Sequence, residues 1–477
     1  MPSRGHAKPR RGISVSSRWG RAPTRGSRAW GPGWGPSASE RKLAVSVTKT
    51  NTTVTFVLAG LFCACVVSPV ALAAPPVLFE QALADLASPD AATRLRTAKM
   101  LKDAAYPESA APLAKLIVDP QDSVQLEAIG AELNIFIAEK IVPRKRVGFI
   151  VELRTPVAAD AIFSTGPLAV GPRPVPGEVL DALRTAARDD NPRVRLEALY
   201  AFGVLAVQRG GDARRALLRA SGPDLAAMIG AIDPSHRYAA LQVIGRLFER
   251  RLHDEPIDPN VGDAVISALN EKEPALQAAA MQALGAIRYE RAVQGLMDLF
   301  QYHSKGAMAE SALDAIAHIA HPSSVPLLVA QLASKNAVLK SMAIEGLARA
   351  GDRIRLGDVQ SAIRTERNGS LQLAGSFASV MLTGEAGGGN LAPMVEAIAN
   401  PRLRDQARWY LIEAAPGRTQ AFTRFLQDPD PFVRTALVDA LGLSGESAAI
   451  ALVQPMASDK DVQVARAVER ALARLRQ

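Results

Sequence analysis

The sequence predicts an all-α fold, an α-solenoid of about eleven stacked helical hairpins. A unit of roughly 31 residues recurs from about residue 80 onward. Each copy carries apolar residues at helical spacing, and a second apolar helix follows each time, as in Ala292–Phe300, Val325–Leu332 and Ala448–Met456. A hairpin of that kind can bury its apolar stripe only against its neighbours, which is the condition that makes repeats stack. The clearest copies are Asp190–Leu199 (DNPRVRLEAL) and Asp428–Leu437 (DPDPFVRTAL).

The chain before the repeats has two parts. Residues 1–49 hold eleven Lys/Arg against the single acid Glu40, so most of the formal charge of +9 sits there. The remaining chain has 45 basic and 46 acidic residues. The basic character therefore belongs to a tail, which removes the main support for a nucleic-acid partner. This segment reads as a disordered tail or as sequence upstream of a true start near Val45 or Val47. Residues 50–74 read as a signal peptide. Val54–Val67 is a 14-residue apolar run, Pro69 breaks it, and Ala71-Leu72-Ala73 supplies small residues for cleavage after Ala73 or Ala74. The alternative is an uncleaved membrane anchor. Cys63 and Cys65 both lie in the apolar run, so the mature chain would hold no disulfide or thiol nucleophile. An exported chain of 48% hydrophobic residues without cysteine fits a periplasm and rests on packing alone.

Residues 75–141 and 178–477 form the repeats. With the Val of Val-Arg as position 0, zeros fall at Thr93, Val124, Val194, His236, Leu276, Met308, Leu339, Leu371, Leu403, Val433 and Val464. Apolar or small residues recur at +4, +5, +7 and +8, one face of a 3.6-residue helix. At −3 stand Asp90, Asn191, Asn336, Asn400, Asp430 and Asp461, read as N-caps. Pro192, Pro274, Pro401 and Pro431 at −2 suit the first helical position. Gly203, Gly245, Gly285 and Gly442 are read as closing their helices. Arginines at +1 (Arg94, Arg195, Arg404, Arg434) are expected to pair with acids of adjacent units. These residues resemble HEAT repeats, and the short period resembles the HEAT-like repeats of phycobilisome lyases. The resemblance implies a fold, not an activity; the bacterial exported setting is read from the signal segment and the cysteine-free chain after it.

Residues 142–177 interrupt the array with Pro143, Pro156, Pro167, Pro172, Pro174 and Pro176, which exclude one continuous helix. The segment reads as a Pro-rich non-helical insertion, with Val147–Leu153 as a strand or extended strap. Its basic start, Arg144, Lys145 and Arg146, is a candidate partner-binding site on or beside the concave face. Trp409, beside Tyr410, is the other candidate; Tyr410 should face the core and Trp409 its margin.

No catalytic residue and no metal site is expected. His318 and His321 lack a third ligand, and His321 before Pro322 reads as a helix-end residue. HEAT-like deoxyhypusine hydroxylases hold iron with His-Glu pairs; this chain has no His-Glu dipeptide. Gly387-Gly388-Gly389 lacks the Lys-Ser/Thr of a phosphate loop. The function expected is an exported scaffold or adaptor for a protein or peptide, without catalysis or cofactor, and with membrane contact only if the signal segment is retained. The alternative is a lyase or hydrolase that uses the insertion as a lid.

Overall fold

A computed structural model describes residues 78–137, 158–208, 211–250, 256–383 and 390–476. The basic tail, the signal segment, Val147–Leu153 and Gly387–Gly389 lie outside them. The described chain begins with the pair α1 (Phe79–Asp85) and α2 (Ala91–Ala104), then α3 (Ala110–Ala114) and α4 (Asp122–Phe136). A separate short helix follows, α5 (Ala159–Phe163). Pairing resumes with α6 (Gly177–Ala186) and α7 (Pro192–Leu205), α8 (Gly211–Ile229) and α9 (Pro234–Leu247), and α10 (Pro259–Ser267) and α11 (Pro274–Ala286). Next come α12 (Val293–His303) with α13 (Ala307–Ile319), α14 (Val325–Gln331) with α15 (Ala337–Ala350), and α16 (Leu356–Ile363) with α17 (Gly369–Thr383). The last units are α18 (Ala392–Ala397) with α19 (Arg404–Ala414), a 3-10 helix at Thr419–Phe425 with α20 (Pro431–Leu443), and α21 (Ile450–Val453) with α22 (Val462–Leu475). Among the described residues this makes eleven units, and ten of the eleven zeros lie within the second helix, the longer of the pair in every unit but α8/α9, with Leu403 as the residue that precedes α19.

Each long helix packs on the next, from α2 against α4 through α20 against α22, and each short helix lies against the long one that follows it. One continuous apolar core results. The +4 alanines Ala198, Ala280, Ala312, Ala343 and Ala407 are all fully buried and keep neighbouring helices close. Asp90, Asn191, Asn336, Asp430 and Asp461 accept backbone amides at their helix starts. Asn400 instead accepts Arg402 N at 3.0 Å in a turn, and α19 begins only at Arg404. Pro401 belongs to the same turn.

The +9 glycines do not close their helices. Gly203 and Gly442 lie inside α7 and α20, where they permit close packing. A Cβ on Gly442 would stand 2.7 Å from Ala471 Cα, and one on Gly203 would stand 2.7 Å from the Phe163 ring. Their missing side chains therefore set helix spacing, a need that the sequence alone does not separate from a helix stop.

Of the four +1 arginines, Arg94 and Arg434 clamp an acid of the next unit as expected, Arg195 lies 4.0 Å from Asp233, and Arg404 is held by a carbonyl instead. Arg94 grips Asp119 at 2.6 and 2.9 Å, and Arg434 grips Asp459 at 2.8 Å through both nitrogens. Each also donates to two carbonyls of the loop before its own helix. Arg195 binds the carbonyls of Asp189 and Asp190, and Arg404 that of Ile398. Arg237 and Lys340, also at +1, reach Glu271 and Glu366.

The insertion contains helix after all. Ala159–Phe163 forms α5 and Pro167–Ala169 a 3-10 turn, and α6 starts at Gly177. One antiparallel bridge ties Val170 of the insertion to Ile137 at the end of α4. Helix α5 lies on α7, and Glu197 of α7 accepts the Ala159 amide at 3.0 Å. Helix α8 runs through Pro223 without interruption. Among the described residues no helix is long and apolar enough to cross a membrane.

Candidate functional site

Counting along each long helix from its zero, positions +2, +6 and +10 fall one above another, because residues four apart share a helix face. In α9 they are Tyr238, Gln242 and Arg246; in α15, Ser341, Glu345 and Arg349; in α22, Arg466, Arg470 and Arg474. In these three helices the row is polar, whereas in α7 it is Leu196, Tyr200 and Val204 and in α17 Leu373, Phe377 and Met381. Its members meet residues far away in sequence, so the C-terminal ends of the long helices converge along it.

The first cluster holds the insertion. Arg246 is fully buried, with its guanidinium 4.3 Å over the Phe163 ring and Nη2 donating to the Phe163 carbonyl at 2.9 Å. The Phe163 ring also meets Tyr200 at 5.4 Å, and Tyr200 donates to Gln242 at 3.1 Å. One arginine thus fixes α5 by its ring and its carbonyl together.

The second cluster spans units seven to nine. Arg349 binds Glu413 through Nε at 2.8 Å and Nη2 at 3.0 Å, and Glu345 lies 3.4 Å from the same Nη2. Arg349 and Glu413 side chains are each only 3% exposed. Tyr410 donates to Glu345 at 2.6 Å, accepts from Gln406 at 2.7 Å and stacks on Phe377 at 4.4 Å. Burial pushes the Tyr410 hydroxyl well up, and Glu345 adds to it. Burial alone would lower the Arg349 pKa, but Glu413 and Glu345 hold it raised. Arg288, four units earlier than Glu413, reaches the same carboxylate at 3.8 Å. Charge is balanced here, since Arg288 and Arg349 face Glu345 and Glu413.

The third cluster spans units nine to eleven and is not balanced. Asp439 of α20, 5% exposed, lies 3.2 Å from Arg470 of α22 and 3.8 Å from Arg408 of α19. Arg474, one turn further along α22, donates through Nη2 at 2.8 Å to the Pro167 carbonyl of the insertion, 307 residues earlier. Its Nη1 has no partner, nor has Arg470 Nε, although both atoms are inaccessible. Burial lowers the Arg474 pKa to about 10, with Arg470 pushing the same way and Asp439 only partly offsetting them.

Of the residues singled out from sequence, Trp409 lies at +6 of α19 on this row, half-buried against the core, and Tyr410 is buried as expected. Arg144, Lys145 and Arg146 lie outside the described residues. His321 accepts the Ser323 amide at a 3-10 start, and His318 Nδ1 lies 2.9 Å from the Asp314 carbonyl. Among the described residues no group of three His, Cys, Asp or Glu could hold a metal ion. A shallow cleft of about 860 Å³ beside Val118 and Arg188 is acidic, but Asp119, Asp122 and Asp189 are already engaged by Arg94, Asn191 and Gln125. In α9, α15 and α22 the row is visible in the sequence as polar residues at four-residue spacing, although α7 and α17 do not share it. The +1 arginines, the most regular charges in the repeat, draw attention away from it.

The family model for HEAT repeats matches residues 222–307 and 391–473. These two stretches are HEAT repeats. No curated protein matches the chain. Among solved structures, an engineered protein is 18% identical, with 83% of this chain and 98% of that chain covered and a TM-score of 0.41. A chain from the structure of Kap95p with RanGDP is 14% identical, covering 83% of this chain and 55% of that one, with a TM-score of 0.35. A chain from work on the cadherin and beta-catenin interaction is 13% identical, covering 83% and 94%, with a TM-score of 0.37.

Proposed function

We propose that this chain is an exported scaffold or adaptor that binds a protein or peptide along its HEAT-type long helices. The observation behind this reading is the polar row at the converging helix ends, where guanidinium groups outnumber carboxylates in the last units. Stacked units offer a long surface of many modest contacts, and partner recognition needs a few strong anchors on such a surface. Arginine and tryptophan are the residue types that most often supply them, and Trp409 stands beside Arg408. A nucleic-acid partner is disfavoured because the chain after residue 49 has 45 basic against 46 acidic residues. Export rests on Val54–Val67 and the small residues that follow it. The lid of a lyase or hydrolase is a weaker reading, since α5 is packed onto α7 and pinned by Arg246.

The test is capture from a cell-envelope extract with residues 74–477 as bait. A stoichiometric protein partner is the expected result, and none at all would contradict the scaffold. Intact mass of the envelope-purified chain should correspond to a start at Ala74. A mass that includes residues 54–73 would replace export by anchoring.

A further inference from the structure

We infer that Arg408, Arg470 and Arg474 form a carboxylate-binding site that takes Asp or Glu side chains of an acidic peptide segment. The inference deepens the scaffold reading and rests on it.

Two guanidiniums share one internal carboxylate, Asp439, whose oxygens go to different arginines, Oδ1 to Arg470 and Oδ2 to Arg408, and a third, Arg474, lies one turn further along α22. Neither pairing is the bidentate fork that satisfies an arginine, as Glu413 does for Arg349. Arg474 contacts no carboxylate and is held by a backbone carbonyl, with one guanidinium nitrogen unpartnered. An uncompensated cation in a partly desolvated place is costly, and an incoming carboxylate relieves that cost. The low pKa of Arg474 has the same cause. The Arg408 side chain is 36% exposed and that of Arg470 14%, so a ligand carboxylate meets the cluster at Arg408 first, while Arg470 Nε and Arg474 Nη1 lie inaccessible behind it.

A peptide carboxylate fits better than a phosphate backbone. Arginine forks match carboxylates in pairs, whereas nucleic acid needs a row of cations along its strand. Here the cations form one cluster, bounded by the Pro167 carbonyl at the insertion. Asp439 then acts as an internal competitor that the ligand must displace from Arg408 and Arg470.

The probe is fluorescein-labelled hexaglutamate, titrated against residues 74–477 by fluorescence anisotropy at low salt, with hexalysine and a six-residue oligothymidylate as charge controls. Saturable binding of hexaglutamate is expected, weakened about three- to tenfold by Arg408→Ala and by Arg470→Ala. Arg355→Ala, remote from the cluster on the helix-turn of unit eight, should leave it unchanged; circular dichroism verifies that each variant is folded. Equal affinity for wild type and both cluster variants would overturn the inference, as would tighter binding of oligothymidylate. A protein partner captured equally by wild type and Arg408→Ala would leave the scaffold standing and sink the site. Absence of any captured partner would instead sink the scaffold, whatever the peptide does.

Discussion

The middle and the C-terminal end of helix α19 face different electrostatic surroundings. At its C-terminal end, Glu413 completes a network with Arg349, Arg288, Glu345 and Tyr410 in which charges match and nearly every polar atom has a named partner. One turn before, Arg408 and Arg470 share Asp439 alone, and Arg474 beyond them meets only a backbone carbonyl. The same repeat architecture thus supports a sealed joint and an unsaturated one. The sealed joint ties units five, seven and nine together and can do little else. The unsaturated joint leaves binding capacity, which is where a partner of opposite charge gains most.

The comparison is tested hardest by removing one charged partner from each side. Glu413→Ala strips a buried arginine of its bidentate partner and should cost about 3–5 kcal/mol in urea unfolding. Arg470→Ala leaves Arg408 facing Asp439 and should cost about 1–2 kcal/mol. Similar losses for the two would erase the distinction between sealed and open clusters.

A buried acid with no joint at all sharpens it further. Glu132 occupies +8 of α4, where Leu101, Ile244, Leu284, Ile316 and Leu347 stand in other units, and neither of its oxygens has a partner. Burial pushes its carboxyl well up. The folded state then holds a proton that the unfolded chain has released above its ordinary pKa, so stability should fall as pH rises through and beyond about 4.5. Glu132→Leu should stabilise the protein by about 1–3 kcal/mol at neutral pH and flatten that slope. Unchanged stability would mean that the carboxyl finds a partner in solution.

His236 gives a smaller effect of opposite sign. It occupies a zero position in the core, where burial and then Arg195 lower its pKa. It stays neutral when folded, so stability is present above about pH 6.5 and is lost as pH falls below it. His236→Leu should remove this acid-side loss in melting curves between pH 5 and 7. Arg355→Ala should change stability least, within about 0.5 kcal/mol, since its contacts to Asp352 and Asp358 are half-exposed.

Much of this architecture is legible in the residues. Caps such as Asp90 and Asp430 and the apolar spacing define eleven units, because these features act locally within one helix. The +1 clamps are legible because Arg94 and Arg434 meet acids at a fixed 25-residue offset. Gly203 and Gly442 mislead, since a glycine near a helix end reads as a stop and here permits contact with the next element. The arrangement at Asp439 is the least legible. It joins α19, α20, α22 and the insertion, and nothing within a single repeat announces that Arg474 reaches Pro167.

The most direct measurement is the affinity of hexaglutamate for Asp439→Asn against wild type. Removing the internal competitor should free Arg408 and Arg470 and tighten binding about three- to tenfold. Unchanged or weaker binding would contradict the claim that the last units carry an unsaturated cationic site.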